Sequence, residues 1–550
     1  MTDTAATPVC NIAAYLPAVA GERPDVPAIV VPSGRENGRV RYTQYTFREL
    51  DEDSDRIARG LERLELGRGV RIALMVTPSL DFFALMFALF KVGAVPVLID
   101  PGIGLKPLKE CLAEAQPEAF IGVPRAQIAR LLFGWGRHSI HTVITVGRRW
   151  FWGGYTLNQV RALGATGDPV LAPTGEEDVA AILFTSGSTG IPKGAVYRHG
   201  NFVAQVEMIR ETYGIEPGEI DLPTFPPFSL FDPALGMTTI IPDMDASRPA
   251  TVDAAKLVEA MERFGVTNMF GSPAVLARLV AYGRPLPATL RRVLSAGAPV
   301  RPVILDGMRK ILPEGVQVFT PYGATESLPV SSIGSAEILG DTRTLTDQGY
   351  GICVGHPVSG VDVSIIEISD DAIPIWEETR PMAVGQIGEI VVRSASVTTE
   401  YFNRVRATLL AKIRGPKWDV AHRMGDVGYF DPHGRLWYCG RKSHRVITPR
   451  GTLFTEQVEG IFNAELGGVR TALVGVSQNG VVAPIVCVEV DGVKLRIEPE
   501  KVLKEIAQKH PAVADVQGLL LHPGRFPVDI RHNSKIFREK LAVWASGRLR

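Results

Sequence analysis

Five cysteines in 550 residues, with no CxxC pair and a single isolated CxxH at Cys353 and His356, leave this chain without a zinc-ligand pattern or a disulfide scaffold. Cys10, Cys111, Cys353, Cys439 and Cys487 instead read as core thiols of a protein kept in a reducing cytoplasm. Net charge is lacking too. The 59 Lys and Arg balance 59 Asp and Glu with no long basic block, so a nucleic-acid partner is not expected. No apolar run is long enough to span a bilayer; the longest, residues 82–90, is closed off by Asp81 and Lys91. The first residues, MTDTAATPVC, lack a basic segment followed by an apolar one, which argues against a signal peptide. A composition of 45% hydrophobic and 21% charged residues is that of a folded globular chain, and its length calls for at least two domains.

What the chain does have is a dense cluster at 185–194, TSGSTGIPKG, with three glycines, four Ser/Thr hydroxyls and one lysine directly after an apolar run at 179–184 that reads as a buried strand. Glycines let backbone N–H groups approach an anion, hydroxyls add short donors, and Lys193 adds a mobile positive charge, so the stretch suits a nucleotide triphosphate. A Gly/Ser/Thr cluster is also compatible with a plain surface loop. It is not a Walker A loop: Gly194 follows Lys193 where Ser or Thr would stand, and residues 195–198 read as a second strand instead of a helix.

Along the chain, Thr46 and Glu49 form a capping box ahead of a helix to about Leu66. Residues 70–76 read as a strand, 80–92 as a helix buried on most sides, and 94–98 as another strand; such alternation argues for a parallel α/β sheet. Asn201 is a cap candidate for a helix through about Tyr213. GVRTALVGV and APIVCVEV are the clearest strands of the last hundred residues. Between 123 and 157, Trp135, Trp150 and Trp152 interleave with Arg125, Arg130, Arg137, Arg148 and Arg149. That pattern suits a peripheral membrane surface or a neighbouring pathway enzyme, and equally a packed subdomain with solvated arginines.

The hairpin carrying STGxPKG resembles the signature of the adenylate-forming superfamily, which includes acyl-CoA synthetases, luciferases and the adenylation domains of peptide synthetases. FALFKVGAVPVLIDP at 87–101, SAGAP at 295–299, YGATE at 322–326, MGD at 424–426, GRKSH at 440–444 and SKIFR at 534–538 resemble further signatures of that superfamily in the same order, from about Tyr42 to Arg538. The resemblance implies an α/β fold. A large N-terminal domain, residues 1–440, would hold stacked α/β subdomains plus a distorted β-barrel, and a small mobile α+β domain, residues 441–550, would carry a catalytic lysine.

It also implies roles. Thr185, Ser186, Gly187, Ser188, Thr189, Gly190 and Lys193 would cradle the phosphates of ATP, with Gly297, Ala298 and Pro299 along the adenine. Tyr322, Gly323 and Ala324 would lie against the base, Thr325 at the α-phosphate, and Glu326 on Mg²⁺. Asp426 would take the ribose hydroxyls, and Arg441 the ribose or a phosphate. Lys535 would bridge carboxylate and α-phosphate, so Lys535, Glu326 and Thr325 form the implied catalytic set. Ser443 would mark the hinge, where the superfamily usually has Asp or Lys. Phe228, Phe231 and Gly323 would line an acyl pocket within TFPPFSLFDPALGMTTIIP at 224–242, whose apolar content suits a hydrocarbon.

Coenzyme A ligases of the superfamily often carry PLFH at this place, and Ser229 stands at the histidine here. RHNSKIF, TFPPFSLFDP and YGATESLPVSS most resemble the β-lactone synthetase subgroup of bacterial long-chain olefin biosynthesis. The implied reaction is ATP-dependent adenylation of a long-chain 2-alkyl-3-hydroxy acid, followed by attack of its own hydroxyl to give a β-lactone, AMP and pyrophosphate. His444 and His532 are conceivable bases for that hydroxyl, or ordinary structural imidazoles. A long-chain acyl-CoA ligase with the same first half-reaction is the alternative, and an inactive acyl-nucleotide binder the third reading.

Overall fold

A computed structural model describes residues 9–185, 192–416, 418–478, 481–491, 497–528 and 536–549. Two large sheets organise the chain up to Arg441. The first has seven strands in the order Tyr155–Thr156, Thr142–Thr145, Ala119–Gly122, Arg71–Met75, Val95–Ile99, Val179–Thr185 and Lys193–Arg198. All neighbours are parallel except the last pair, an antiparallel hairpin. Strands such as AFIG are buried at every position, as a sheet covered on both faces requires.

The second sheet has fourteen strands, and its character changes midway along. Ile220–Pro223, Thr238–Ile240, Asn268–Phe270, Arg292–Leu294 and Gln317–Ala324 run parallel with Pro27–Glu36. From Ser327–Gly334 onward the pairing is antiparallel through Ile352–Pro357, Leu436–Arg441, Val420–Phe430, Gly388–Arg393 and Asp362–Ile366. These last strands, the region expected to form the distorted β-barrel, pair with one another in antiparallel fashion and continue one edge of the sheet.

The helix Leu80–Lys91 joins the two sheets. Ten of its twelve residues are buried, so its all-round apolar sequence follows from its place inside one core shared by Ile72 and Ile121 of the first sheet and Ile29 and Val31 of the second. It ends on a buried lysine. The Lys91 ammonium sits 2.7 Å from both Asp51 and Asp55 on the neighbouring helix Phe47–Glu62, which starts at the expected Thr46–Glu49 capping box. That helix stops at Glu62, short of Leu66, and the turn after it puts Glu65 at a positive φ of 59°.

The helix His199–Tyr213 begins earlier than expected. Strand Lys193–Arg198 runs straight into it, and Asn201, three residues inside, accepts the Arg198 N–H at 2.9 Å instead of serving as the cap. His199 is buried and accepts the Ile12 N–H, and burial pushes its imidazole down to about 4, so it is neutral at neutral pH.

Beyond Arg441 the described strands pair among themselves, in the hairpin Val446–Thr448 with Gly451–Leu453 and in the sheet Thr471–Gln478, Val481–Glu489 and Gly518–His522. Helices Thr455–Glu465, Pro499–Lys509 and Arg538–Ser546 accompany them. A cavity of about 2030 Å³ opens where the parallel strands of the second sheet end, and residues from beyond Arg441 complete its wall. Carboxyl ends of parallel strands are where open α/β sheets bind ligands.

Candidate active site

Asp426 and Arg441 face one another on adjacent strands of the second sheet and are paired in register. Gly425 makes this possible, because its φ of 68° turns the strand sharply just before the carboxylate. An Arg441 guanidinium nitrogen lies 3.0 Å from Asp426 Oδ1, and the Tyr322 hydroxyl donates to Asp426 Oδ2 at 2.7 Å. The neighbouring carboxylate holds Arg441 above its usual range, and burial followed by that same carboxylate does so for Tyr322. A carboxylate has about four lone-pair directions, so two ribose hydroxyls can still be accepted. The Tyr438 ring stands 6.0 Å from Tyr322, giving a second aromatic wall.

Gly297, Ala298 and Pro299 line the same cavity, as do Gly323, Ala324 and Thr325. At Gly323 a Cβ would fall 2.8 Å from the Ser327 carbonyl oxygen, so only glycine lets the strand pass. Ser295 is a site residue that the motif pattern left without a role. It is buried at the cavity wall, and its hydroxyl has no hydrogen-bond partner among the described residues.

The part of the cavity where the phosphates were expected is built around Glu326. Its carboxylate accepts the Tyr401 hydroxyl at 2.6 Å, and its carbonyl accepts the Thr398 N–H at 2.9 Å. Tyr197 donates to the Thr325 carbonyl, fixing the neighbouring peptide. The Lys193 ammonium lies 5.1 Å from the Tyr401 ring centre, and that of Lys412 5.9 Å from the same ring. Lys412 donates to Thr398, and burial pushes it down to about 7 against the opposing pull of Glu326. Thr185 closes its strand at this end of the sheet. Ser186, Gly187, Ser188, Thr189 and Gly190 lie outside the described residues, as do Lys535 and His532. Tyr401 and Lys412 escaped sequence reasoning because a lone tyrosine and a lone lysine carry no motif, and a lysine is ordinarily solvated.

Where the acyl pocket was expected, Phe228 packs on Phe270 at 4.5 Å and on Phe225 at 5.3 Å, while Phe231 faces Phe202 at 6.3 Å. Phe228 and Phe231 both line the cavity, and Ser229 is buried with its hydroxyl donating to the Pro226 carbonyl. Ser443 lies in the short turn Lys442–His444 that follows the last strand of the large sheet. Lys442 in that turn is tied to Glu389 at 3.0 Å, beside the buried Arg423–Glu389 pair. His444 lies near Glu539, and burial with Arg538 nearby pushes it down to about 4.

Residues 123–157 divide into two environments. Trp135 is buried in the core and Arg130 lies over the Phe120 ring, so this region is packing. Trp150 and Phe151 are exposed, Phe151 to 79%, beside Trp152, whose ring nitrogen is tied to Thr145. Among the described residues no helix is long and apolar enough to cross a membrane.

The family model described as AMP-binding enzyme matches residues 16–402. The chain is an AMP-binding enzyme. It is 55% identical over 549 residues to the olefin beta-lactone synthetase of Xanthomonas campestris pv. campestris, covering 98% of each chain. Two solved structures share the fold of this AMP-binding enzyme. ATP-bound MatB from Rhodopseudomonas palustris matches at 20% identity and a TM-score of 0.79, over 98% of this chain and all of that one. The O-succinylbenzoate coenzyme A synthetase MenE of Bacillus subtilis, in complex with ATP and magnesium ion, matches at 18% identity and a TM-score of 0.72, over 96% of this chain and 98% of that one. The AMP-binding enzyme is thus an adenylate-forming ligase or synthetase that uses ATP, with the expected α/β architecture.

Proposed function

We propose that this enzyme adenylates a long-chain 2-alkyl-3-hydroxy fatty acid and closes it to a β-lactone, releasing pyrophosphate and AMP. The near full-length identity to a curated olefin beta-lactone synthetase carries the reading, and the apolar wall at Phe228 and Phe231 beside a nucleotide cleft supports it. In the first step a carboxylate oxygen of the acid bonds to the α-phosphorus and the bond to pyrophosphate breaks. Negative charge gathers at the phosphate, and Lys193, Lys535 and the N–H groups of the phosphate loop offset it. In the second, the 3-hydroxyl oxygen bonds to the acyl carbon, AMP leaves with the bonding pair, and the hydroxyl proton is lost. Because the nucleophile is tethered, the enzyme has only to hold one rotamer and keep water out.

Glu326 suits Mg²⁺: a hard cation that also binds substrate phosphates needs only one or two carboxylates, and Glu326 presents one at the cavity wall, fixed by Tyr401. The ion would there screen the phosphates. The reading includes a small domain, residues 441–550, that turns about Ser443 against residues 1–440 to present Lys535. It also includes a cytoplasmic setting, in keeping with five free thiols.

Incubation of a 2-alkyl-3-hydroxy acid with ATP and Mg²⁺, followed by mass spectrometry, tests the chemistry. Lactone is expected without coenzyme A. Strict dependence on coenzyme A would make the protein an acyl-CoA ligase, and absence of AMP and pyrophosphate with every acid tried would make it a binder. The partner reading extends to an anionic membrane surface at Trp150 and Phe151, since residues 123–157 carry five arginines and no acidic residue. Co-sedimentation with phosphatidylserine vesicles is expected to be lost in Trp150→Ala/Phe151→Ala, and failure of the intact enzyme to bind vesicles would leave this face to a protein partner.

A further inference from the structure

Two carboxyl groups lie where the cavity should be most apolar. Asp221 sits on the strand Ile220–Pro223, and Asp232 opens the short helix Asp232–Leu235 that folds back over it. Their side chains are hydrogen-bonded to one another, and Asp232 Oδ2 also accepts the Thr239 hydroxyl at 2.7 Å. Both are buried, at 8% and 6% exposure, yet both line the cavity together with Ile209, Tyr213, Leu235 and Met237. Burial raises both carboxyls well above the usual range, so the pair retains a proton and presents a neutral, hydrogen-bonded wall.

Strand register fixes how deep this wall lies. Thr239, Asp221, Asn268, Arg292 and Gln317 are paired one to the next across five strands, so they form a single polar row. Behind it, Asn268 donates to Glu219 and accepts from Arg292, which closes the row off with a buried ionic network. Gly323, which lines the cavity where the acyl pocket was expected, stands on the same strand as Gln317, six residues on. Six residues of strand span about 20 Å. An extended chain advances about 1.2 Å per bond, so that depth holds roughly sixteen bonds.

We propose that the Asp221–Asp232 pair is the floor of the acyl tunnel and sets the length of hydrocarbon chain the enzyme accepts. The inference rests on the adenylating function proposed above and adds the chain-length class of its substrate. A longer chain would have to drive the Asp221 and Asp232 carboxyls apart, and a buried polar group without its hydrogen bond is costly. An ordinary apolar floor yields by side-chain repacking; this one does not.

Pyrophosphate release across a series of saturated and 3-hydroxy acids of increasing length provides the test, because it reads the first half-reaction whatever acceptor follows. In Asp221→Ala/Asp232→Ala the optimum is expected to move to chains about two to four carbons longer, with discrimination against them relaxed by about 10-fold or more. Asp221→Asn/Asp232→Asn keeps the volume and the hydrogen bonds, and is expected to retain the wild-type optimum. If the alanine variant is folded and its length profile is unchanged, or if the asparagine variant shifts as far as the alanine one, the floor lies elsewhere. Should the alanine variant fail to fold, Asp232→Leu, which adds bulk at the same place, is expected to shorten the optimum, and an unchanged profile overturns the proposal. Wild-type enzyme that releases no pyrophosphate with any acid overturns the adenylating function as well.

Discussion

Glu326→Gln is expected to slow acyl-adenylate formation by about 100- to 1000-fold, on the scale of losing one group that stabilises transition-state charge. The substitution preserves shape. A glutamine oxygen can still accept the Tyr401 hydroxyl that the carboxylate accepts at 2.6 Å, and the backbone bond from Thr398 is untouched. What disappears is one negative charge that acts on Lys412, beside the Tyr401 ring that Lys412 and Lys193 both approach. Two consequences follow. The proposed Mg²⁺ site loses its oxygen anion, so pyrophosphate exchange should require more magnesium; and Lys412, whose charged form Glu326 favours against burial, should hold its proton less well. Exchange assayed against a magnesium titration, with thermal unfolding to show that the variant is folded, gives the answer. Wild-type exchange at the same magnesium concentration would remove Glu326 from the metal role.

The features of this arrangement that were legible in the sequence are those whose cause is local or contiguous. The Thr46–Glu49 capping box could be read because both of its hydrogen bonds close within one turn. The helix Leu80–Lys91 could be read because burial on all sides leaves an unbroken apolar run. Asn201 misled for the same reason: its residue type announces a cap, but the strand before it carries the chain into the helix three residues sooner, and the side chain bonds back from inside.

Site residues carried by ordered motifs, such as Tyr322, Asp426 and Arg441, are indeed brought into direct contact, because each stands on a strand of the same sheet. Tyr401, Lys412 and the Asp221–Asp232 pair were not legible. Each owes its environment to elements far away in the chain or to a helix folding back, and the ordinary expectation for Lys and Asp is solvent. Pairing across the sheet, which sets the depth of the tunnel, is likewise invisible until the register is known.

Lys535→Ala is expected to leave ATP binding nearly intact and to cut acyl-adenylate formation by about 100- to 1000-fold. Lys535 itself lies outside the described residues, but the residues that frame it do not. Val528 and Ile536 pair with one another and both line the cavity, and Arg538 is anchored by Glu459 at 2.6 Å. Ile536, the next residue in the sequence, thus stands at the cavity wall. The chemical use of the lysine follows from the reaction: two anions, the carboxylate and the triphosphate, must approach one another, and a cation between them favours the crossing more than it favours ATP alone. In the proposed reading, binding of ATP draws instead on Asp426, Tyr322 and the TSGSTGIPKG stretch, none of which the substitution replaces. Lys535→Arg keeps the charge in a wider, planar group and should recover only some of the rate. The two half-reactions can then be separated by supplying synthetic acyl-adenylate. If Lys535 serves the first step, the alanine variant converts that intermediate to lactone at close to the wild-type rate while pyrophosphate exchange stays low; equal loss in both would mean that the lysine also holds the adenylate for ring closure, and undiminished exchange would sink the assignment.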